Sequence, residues 1–403
     1  MPPSHQSPGR GLNMRKLPLA HLALLAIIYL SFVSLGLPDG VLGVAWTAMH
    51  LDLNQPLAAL GLVTMALTVS SGTCTLFAGA LLRRLGTGLV VTLSCMLTGL
   101  ALLGFSMLPS FGWMLLLAVP LGLGAGAVDA GLNHFVAAHY SSRHMNWLHG
   151  CWGIGATLGP LIMGAALTHT AGWHSGYQHI AMMQLTLALV LLTTLGLWQK
   201  EHATPPREAH AQAAPVIQPE SLLATWLAPL GFLLYVAAEA TTGLWAASLL
   251  VNDRGVSAAS AGLWVSLFFG SITAGRFGVG LVANRLGNRR LIRLGLGIAL
   301  AGACVFALPM LPSGLSACGL ILMGLGCAPI YPSMMHETAR RFAANRVATV
   351  IGRQVSLSYV GGAVVPAACG VLAAWAGLSA VMPLVIVLLL GLLATTERLN
   401  HLT

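Results

Sequence analysis

Two stretches of this chain read almost alike: GALLRRLGTG at Gly79 to Gly88 and GLVANRLGNRR at Gly280 to Arg290. Each follows one apolar run and precedes another, and their first glycines lie 280 − 79 = 201 residues apart. A second pair has nearly the same separation: LGPLIMG around Pro160 and VVPAACG around Pro366 are 206 residues apart. An offset of about half of the 403 residues means that the chain is built from two copies of one unit.

Composition says what the copies are made of. Hydrophobic residues make up 57% and charged residues only 7%, whereas soluble domains carry about 25% charged residues. The mean hydropathy is +0.83. Apolar runs of about 18 residues or more with few charges are transmembrane helix candidates, and twelve are found: 18 to 46, 56 to 82, 88 to 108, 112 to 139, 145 to 169 and 177 to 198, then 222 to 250, 258 to 283, 291 to 311, 314 to 339, 346 to 374 and 377 to 396. They predict an all-α membrane protein with twelve transmembrane helices in two pseudo-symmetric six-helix halves. The halves are a bundle at 18–198 and a bundle at 222–396, flanked by tails at 1–17 and 397–403. Between them KEHATPPREAHAQAAPVIQPE at 200 to 220 is rich in proline, alanine and charge, without a helical apolar period, and predicts a flexible cytoplasmic linker at 199–221. The first apolar run, from Leu17, outlasts a signal peptide and has no clear cleavage site, so it reads as the first spanning helix.

Basic residues orient the bundle, because Lys and Arg concentrate in short cytoplasmic loops. Sixteen of the 19 fall in the tails, the linker, and the loops after spans 2, 4, 8 and 10. Arg276 and Arg353 lie within spans, and only Arg254 lies in an outer loop. Both termini are therefore expected in the cytoplasm of a multi-pass cell-membrane protein, the inner membrane in a bacterium. The net charge of +9 is accounted for by this topology, so no nucleic-acid partner is expected. The seven cysteines lie in apolar runs without CxxC spacing, which predicts small packing residues rather than disulfides or a metal site. Phosphate loops, triads and metal clusters are missing from the sequence, so neither an enzyme nor an ATP-driven pump is expected, and no cofactor. The expected partners are a small solute, protons and the lipid bilayer, with the protein a monomer.

The two repeated stretches resemble the paired loop signature of the major facilitator superfamily: a glycine, an acidic residue, a basic residue and a second glycine at fixed spacing. At the acidic place this sequence has Arg83 in the first copy and Asn284 in the second, so the salt-bridge latch that the signature implies lacks its acid. GRF at Gly275 to Phe277 fits the arginine common in that superfamily's span 8. Within the superfamily, three segments resemble the proton-coupled fucose, galactose and glucose symporters and the related sodium-coupled glucose transporters. They are DAGLNHF at Asp129 to Phe135, MNWLHGCWGIGATLGP at Met145 to Pro160 and LYVAAEATTGLW at Leu234 to Trp245. Gly155, Gly159, Pro160 and Gly164 are similar instead to the span 5 signature of drug:proton antiporters, with the last glycine displaced. Small residues every four positions also let helices approach closely. The arginine usual early in the antiporters' span 4 is missing from VPLGLGAG at Val119 to Gly126.

Ionisable groups inside a membrane are costly and mark solute or ion pathways by default. Asp39 follows Pro38 midway along span 1, where the proline frees backbone groups. The resemblance to the fucose symporters' span 1 acid makes it a proton-coupling and substrate-binding candidate; the alternative is a hydrogen bond between helices. Asp129 and Asn133, four apart, share a face with Gly122 and Gly126. Acid and amide together present the acceptors and donors that hydroxyls need; a polar clasp between helices is the alternative. On span 5, Asn146, His149 and Gly153 share a face with Trp147 and Trp152 nearby, the amide-and-aromatic mixture that suits a carbohydrate. Span 7 aligns Tyr235, Glu239 and Thr242, followed by Trp245, with Glu239 a third acid able to couple protons or to pair with an arginine such as Arg353. Gln354 and Ser358 share a face of span 11, and Arg276 and Arg353 are expected in structural ion pairs.

These readings converge on a secondary active transporter: proton-coupled symport of a sugar or similar small polar solute by alternating access, with drug/proton antiport as the alternative. The orientation is checked directly. A reporter active only outside the cytoplasm, fused after Thr403, is expected to stay silent, and a bright signal would refute the twelve-span count or its sign.

Overall fold

In a computed structural model, described over residues 19–140, 142–202 and 221–403, the chain is helical and twelve long helices are found among the described residues. They are α1 (Ala20–Asp52), α2 (Leu57–Leu85), α3 (Thr87–Phe105), α4 (Phe111–His139), α5 (Ser142–Ala166) and α6 (Gly172–Thr193) in the first half. The second half has α7 (Leu222–Asp253), α8 (Ala258–Leu286), α9 (Asn288–Ala307), α10 (Ser313–Arg341), α11 (Ala344–Ala376) and α12 (Leu378–Leu402). Apart from α5, each contains a stretch long and apolar enough to cross a membrane. The tail at 1–17 and most of the expected linker lie outside the described residues; a short helix, Leu195–His202, leads out of the first half.

The glycine at the eighth place of each repeated stretch explains why the stretch recurs. Gly86 joins α2 to α3 at φ 76°, ψ 156°, and Gly287 joins α8 to α9 at φ 76°, ψ 150°. That region is open essentially to glycine alone, so the repeat in sequence is a repeat in backbone geometry. Packing repeats too: α1 lies on α5, α2 on α4 and α3 on α6, while α7 lies on α11, α8 on α10 and α9 on α12. Small residues set the tightest of these seams. A methyl group on Gly326 of α10 would meet the backbone of Ala299 in α9, and one on Gly302 would lie 2.6 Å from the Gly319 carbonyl oxygen, the close approach that membrane helices rely on in place of a hydrophobic driving force.

Large apolar side chains face outward. Leu76, Phe77, Val371 and Trp375 are exposed on the flanks, the arrangement for a chain whose solvent is hydrocarbon. At the end of the second half that carries the basic loops, Glu337 of α10 accepts from Asn288 at 3.2 Å and pairs with Arg289 at 3.1 Å, Arg340 at 3.4 Å and Arg341 at 3.6 Å. Arg293 grips Glu397 of α12 with two bonds of 2.5 and 2.6 Å. An acid in α10 therefore receives Arg289 of the second repeated stretch, whose own acidic place is Asn284.

The halves meet along three seams: α1 on α7, α2 on α11 and α5 on α8. At the end away from the basic loops these are backbone contacts. Gly43 abuts the Leu244 carbonyl, a methyl on Gly61 would lie 2.7 Å from the Ala367 Cα, and one on Gly370 would lie 2.7 Å from the Ala58 oxygen and 3.2 Å from its Cα. Backbone cannot rotate aside, so this end is closed as tightly as glycine allows. With the native cysteines replaced, Ala58→Cys and Gly370→Cys are close enough for a disulfide and are expected to cross-link on mild oxidation. Adding Gly61→Leu overpacks that seam by about 1–3 kcal/mol and is expected to slow cross-linking about tenfold. Cross-linking at the parent's rate would show that the halves are not held together there.

Candidate functional site

A cavity of about 2430 Å³ lies between the halves. It opens toward the end with the basic loops, where Tyr140, Arg143, Trp147, Phe277, Asn288 and His336 line its mouth. Its inner wall carries most of the ionisable groups picked out from the sequence.

Asp39 occupies the break in α1. The helix stops at Gly36 and resumes at Val41, and the turn between is held by the Asp39 amide donating to the Gly36 carbonyl at 3.2 Å and the Val41 amide to the Pro38 carbonyl at 3.2 Å. Proline 38 cannot donate, so the interruption falls where the carboxyl needs to leave the helix face. Asp39 is exposed to the cavity and accepts a 2.7 Å hydrogen bond from Trp152 Nε1 of α5. Asp129 projects from α4 and accepts from Asn133 Nδ2 at 2.9 Å. From the other half, the Tyr359 hydroxyl of α11 approaches it at 3.5 Å and lies equally far from Thr75 Oγ1 of α2. Glu239 of α7 pairs within its own half, at 3.9 Å, with Arg276 of α8.

Asp39, Asp129, Asn133, His149, Trp152, Tyr235, Glu239 and Arg276 all line the cavity. Tyr235 does so with its hydroxyl committed to the Cys327 carbonyl at 3.1 Å, and His149 stands edge-on to Phe32 at 5.8 Å. Asn146 lies in α5 with its side chain outside the described residues.

Three expected positions fall elsewhere. Trp245 is buried against α11, its indole donating to the Pro366 carbonyl at 3.0 Å. Gln354 is buried near the basic end, donating to Thr338 Oγ1 at 2.8 Å in a small gap beside Met334 and Thr396. Arg353 lays its guanidinium 4.8 Å over the ring of Trp226, and the arginine that Glu239 meets is Arg276. Helical spacing groups side chains on a face, but which neighbour that face meets is set by packing. Gly155 and Gly159 likewise have a structural explanation, since methyl groups there would strike the Val33 and Leu37 carbonyls of α1.

The cavity also brings in residues that sequence reading missed. Tyr331 and Phe269 add aromatic wall, Gln184 bonds Ser34 by hydroxyl and backbone, and Tyr359 reaches Asp129 from the opposite half. A tyrosine hydroxyl inside an apolar span needs a partner, and that signal would have flagged Tyr359 and Tyr331. No group of His, Cys, Asp or Glu among the described residues is arranged to hold a metal ion. The lining offers carboxylates, guanidinium groups, amides, hydroxyls and ring faces, a set suited to binding a polar solute and to taking up protons.

Comparison with known proteins gives one family throughout. The family model described as Major Facilitator Superfamily matches residues 28–366. An uncharacterized MFS-type transporter of Yersinia pestis is 24% identical over 365 residues, covering 89% of this chain and 90% of that protein. Among solved structures, a bacterial homologue of the human lysosomal transporter Spinster, inward-facing and occupied, superposes with a TM-score of 0.75 at 14% identity, over 95% of this chain and 97% of that one. The nucleoside transporter NupG gives 0.72 at 14% identity, over 96% and 99%. A D-xylose-proton symporter gives 0.71 at 10% identity, over 92% and 97%.

Within the site, the pairing of Glu239 with Arg276 is testable by stability. Their side chains are only 13% and 19% exposed, so Glu239→Ala strands a largely buried guanidinium and is expected to cost roughly 2–3 kcal/mol, read as a lowered Tm. Adding Arg276→Met is expected to restore most of the loss. A Glu239→Ala protein that melts with the parent would mean that the pair does not hold α7 to α8.

Proposed function

The chain belongs to the major facilitator superfamily, and on that premise we propose that this membrane transporter is a proton-coupled symporter of a sugar or similar small polyhydroxylated solute. The observation that carries the proposal is the pair of carboxyls, Asp39 and Asp129, on the first-half wall of a central cavity that opens at one end. In the described structure each accepts hydrogen bonds from neutral donors: Trp152 for Asp39, Asn133 and Tyr359 for Asp129. A charge held in that way is stable when the cavity is wet and becomes costly as water leaves. A proton taken up with the solute removes the cost and lets the loaded cavity close.

The bundle at 18–198 and the bundle at 222–396 would rock about this central site, with the segment 199–221 as the tether. The basic end is the cytoplasmic one in this reading, which makes the described arrangement inward-open and places both termini inside, with the monomer as the working unit. Asn133 supplies an amide and Tyr359 a hydroxyl to solute hydroxyls, Trp152 and Tyr331 supply ring faces, and Arg276, loosely paired, supplies donors from the second half.

Drug/proton antiport remains the second reading, because Gly155, Gly159, Pro160 and Gly164 resemble that group's span 5. Their contacts with α1 and α8 explain the same residues as packing. Uptake of labelled hexoses, set beside efflux of dyes in cells lacking native systems, separates the two.

The deciding experiment replaces each acid by its neutral isostere. Asn has nearly the size of a protonated Asp and no proton to release, and exchange of labelled for unlabelled solute needs no release. Asp39→Asn is therefore expected to abolish proton-driven accumulation in vesicles while retaining exchange. Asp129→Asn should behave alike if it carries the proton, or lose binding if it recognises the solute. Accumulation as steep as the parent's in both variants would remove both acids from coupling and leave Glu239 as the remaining candidate.

A further inference from the structure

Trp152 is the one side chain in the cavity wall found to touch both a first-half acid and the second-half ion pair among the described residues. Its Nε1 donates to Asp39 Oδ2 at 2.7 Å. Its ring lies 5.6 Å from the guanidinium carbon of Arg276, and Phe269 stands edge-on to it at 6.4 Å. Arg276 is in turn 3.9 Å from Glu239. Asp39 and Trp152 belong to the first half; Arg276, Phe269 and Glu239 belong to the second. The chain of contacts therefore crosses the surface along which the halves must move.

The backbone on either side leaves this ring little choice of place. Gly153 packs against Thr273, and a methyl on Gly150 would lie 2.5 Å from the Phe277 ring, so α5 and α8 are already as near as they can be. What remains variable is the hold of the side-chain partners. An indole N–H on a carboxylate is a charge-assisted bond, about twice as strong as the bond to a neutral acceptor. A guanidinium over an indole face is drawn by the ring quadrupole. Ionised Asp39 fixes the indole where it competes with Glu239 for Arg276. Protonated Asp39 holds it less firmly, and Arg276 is then freer toward Glu239 and the solute.

We propose that Trp152 is a positioning residue that carries the charge state of Asp39 across the interface to Arg276, so that the second-half wall meets the solute differently with and without the proton. This rests on the reading of Asp39 as a proton carrier. It assigns to the indole N–H a role that a ring serving only as a sugar platform would not need. By linkage, a solute that binds one charge state better must itself favour that state, and Trp152 is the structural route for the effect.

The test counts protons taken up per solute molecule moved down its gradient into vesicles, beside solute exchange. Trp152→Phe keeps a ring and removes the donor. It is expected to lower the proton-to-solute ratio by about threefold or more, because a hydrogen bond to a charged acceptor is lost, and to reduce exchange by a smaller factor. Trp152→Met, which fills space with neither ring nor donor, is expected to uncouple at least as much and provides the comparison if the phenylalanine variant reaches the membrane poorly. A reduced exchange rate with an unchanged ratio in both variants would overturn the proposal and leave Trp152 a platform. Asp39→Asn separates the premise: if it keeps the parent's ratio, Asp39 is not the carrier, whatever the tryptophan variants do.

Discussion

An unpaired polar group in hydrocarbon has no water to fall back on, and every feature of this molecule is arranged around that cost. Backbone groups satisfy themselves within helices, many large apolar side chains face outward, and most ionisable side chains lie at helix ends or on the wall of the central cavity. Among the described residues, the breaks within α1 and α10 both fall beside that cavity. The interruption of α1 at Pro38 is the clearest case, because it both leaves backbone groups without helical partners and turns the Asp39 carboxyl into the open space.

Apolar contacts between helices gain little in a solvent as apolar as leucine, so closeness has to come from small residues. Glycine seams do this within each half and again between the halves, where Gly43, Gly61 and Gly370 bring backbone against backbone at the closed end. Such a seam has no flexible side chain to yield. In the proposed rocking of the halves it would be either docked or parted. The cavity, open at one end and shut at the other, is the space that the docked seam encloses.

The polar residues of the wall are divided unequally. The first half supplies two acids with neutral donors, the second a glutamate already matched to an arginine. Side-chain contacts of the wall across the divide include Tyr359 toward Asp129 and Thr75, and Trp152 toward Arg276 and Phe269. Because each links a residue of one half to a residue of the other, these contacts would change in the proposed rocking of the halves. Most other polar contacts of the wall, such as Gln184 with Ser34 or Tyr235 with Cys327, stay within a half and move as part of it.

Much of the architecture was legible without coordinates, because the membrane imposes a rule that each stretch of sequence must satisfy alone. A span needs apolar length, the repeated loop needs its glycine at positive φ, and both can be read from residues near one another in the chain; Gly86 and Gly287 are examples. Asp39, Asp129, Asn133 and Glu239 were legible for the same reason, since an acid or amide in an apolar run stands out wherever it ends up. Partners were not legible. Helical periodicity places Trp245 one turn beyond Thr242 and Gln354 one turn before Ser358, but only the packing of α7 on α11 and of α10 on α11 decided that they face other helices instead of the cavity. It likewise took the packing of α7 on α8 to match Glu239 with Arg276, and the assembled halves to bring Tyr359 to Asp129 and to put one indole between Asp39 and Arg276. The physical reason is that the cost of burying a polar group is local to its residue, whereas the group that relieves it comes from wherever in the chain the fold has brought a neighbour.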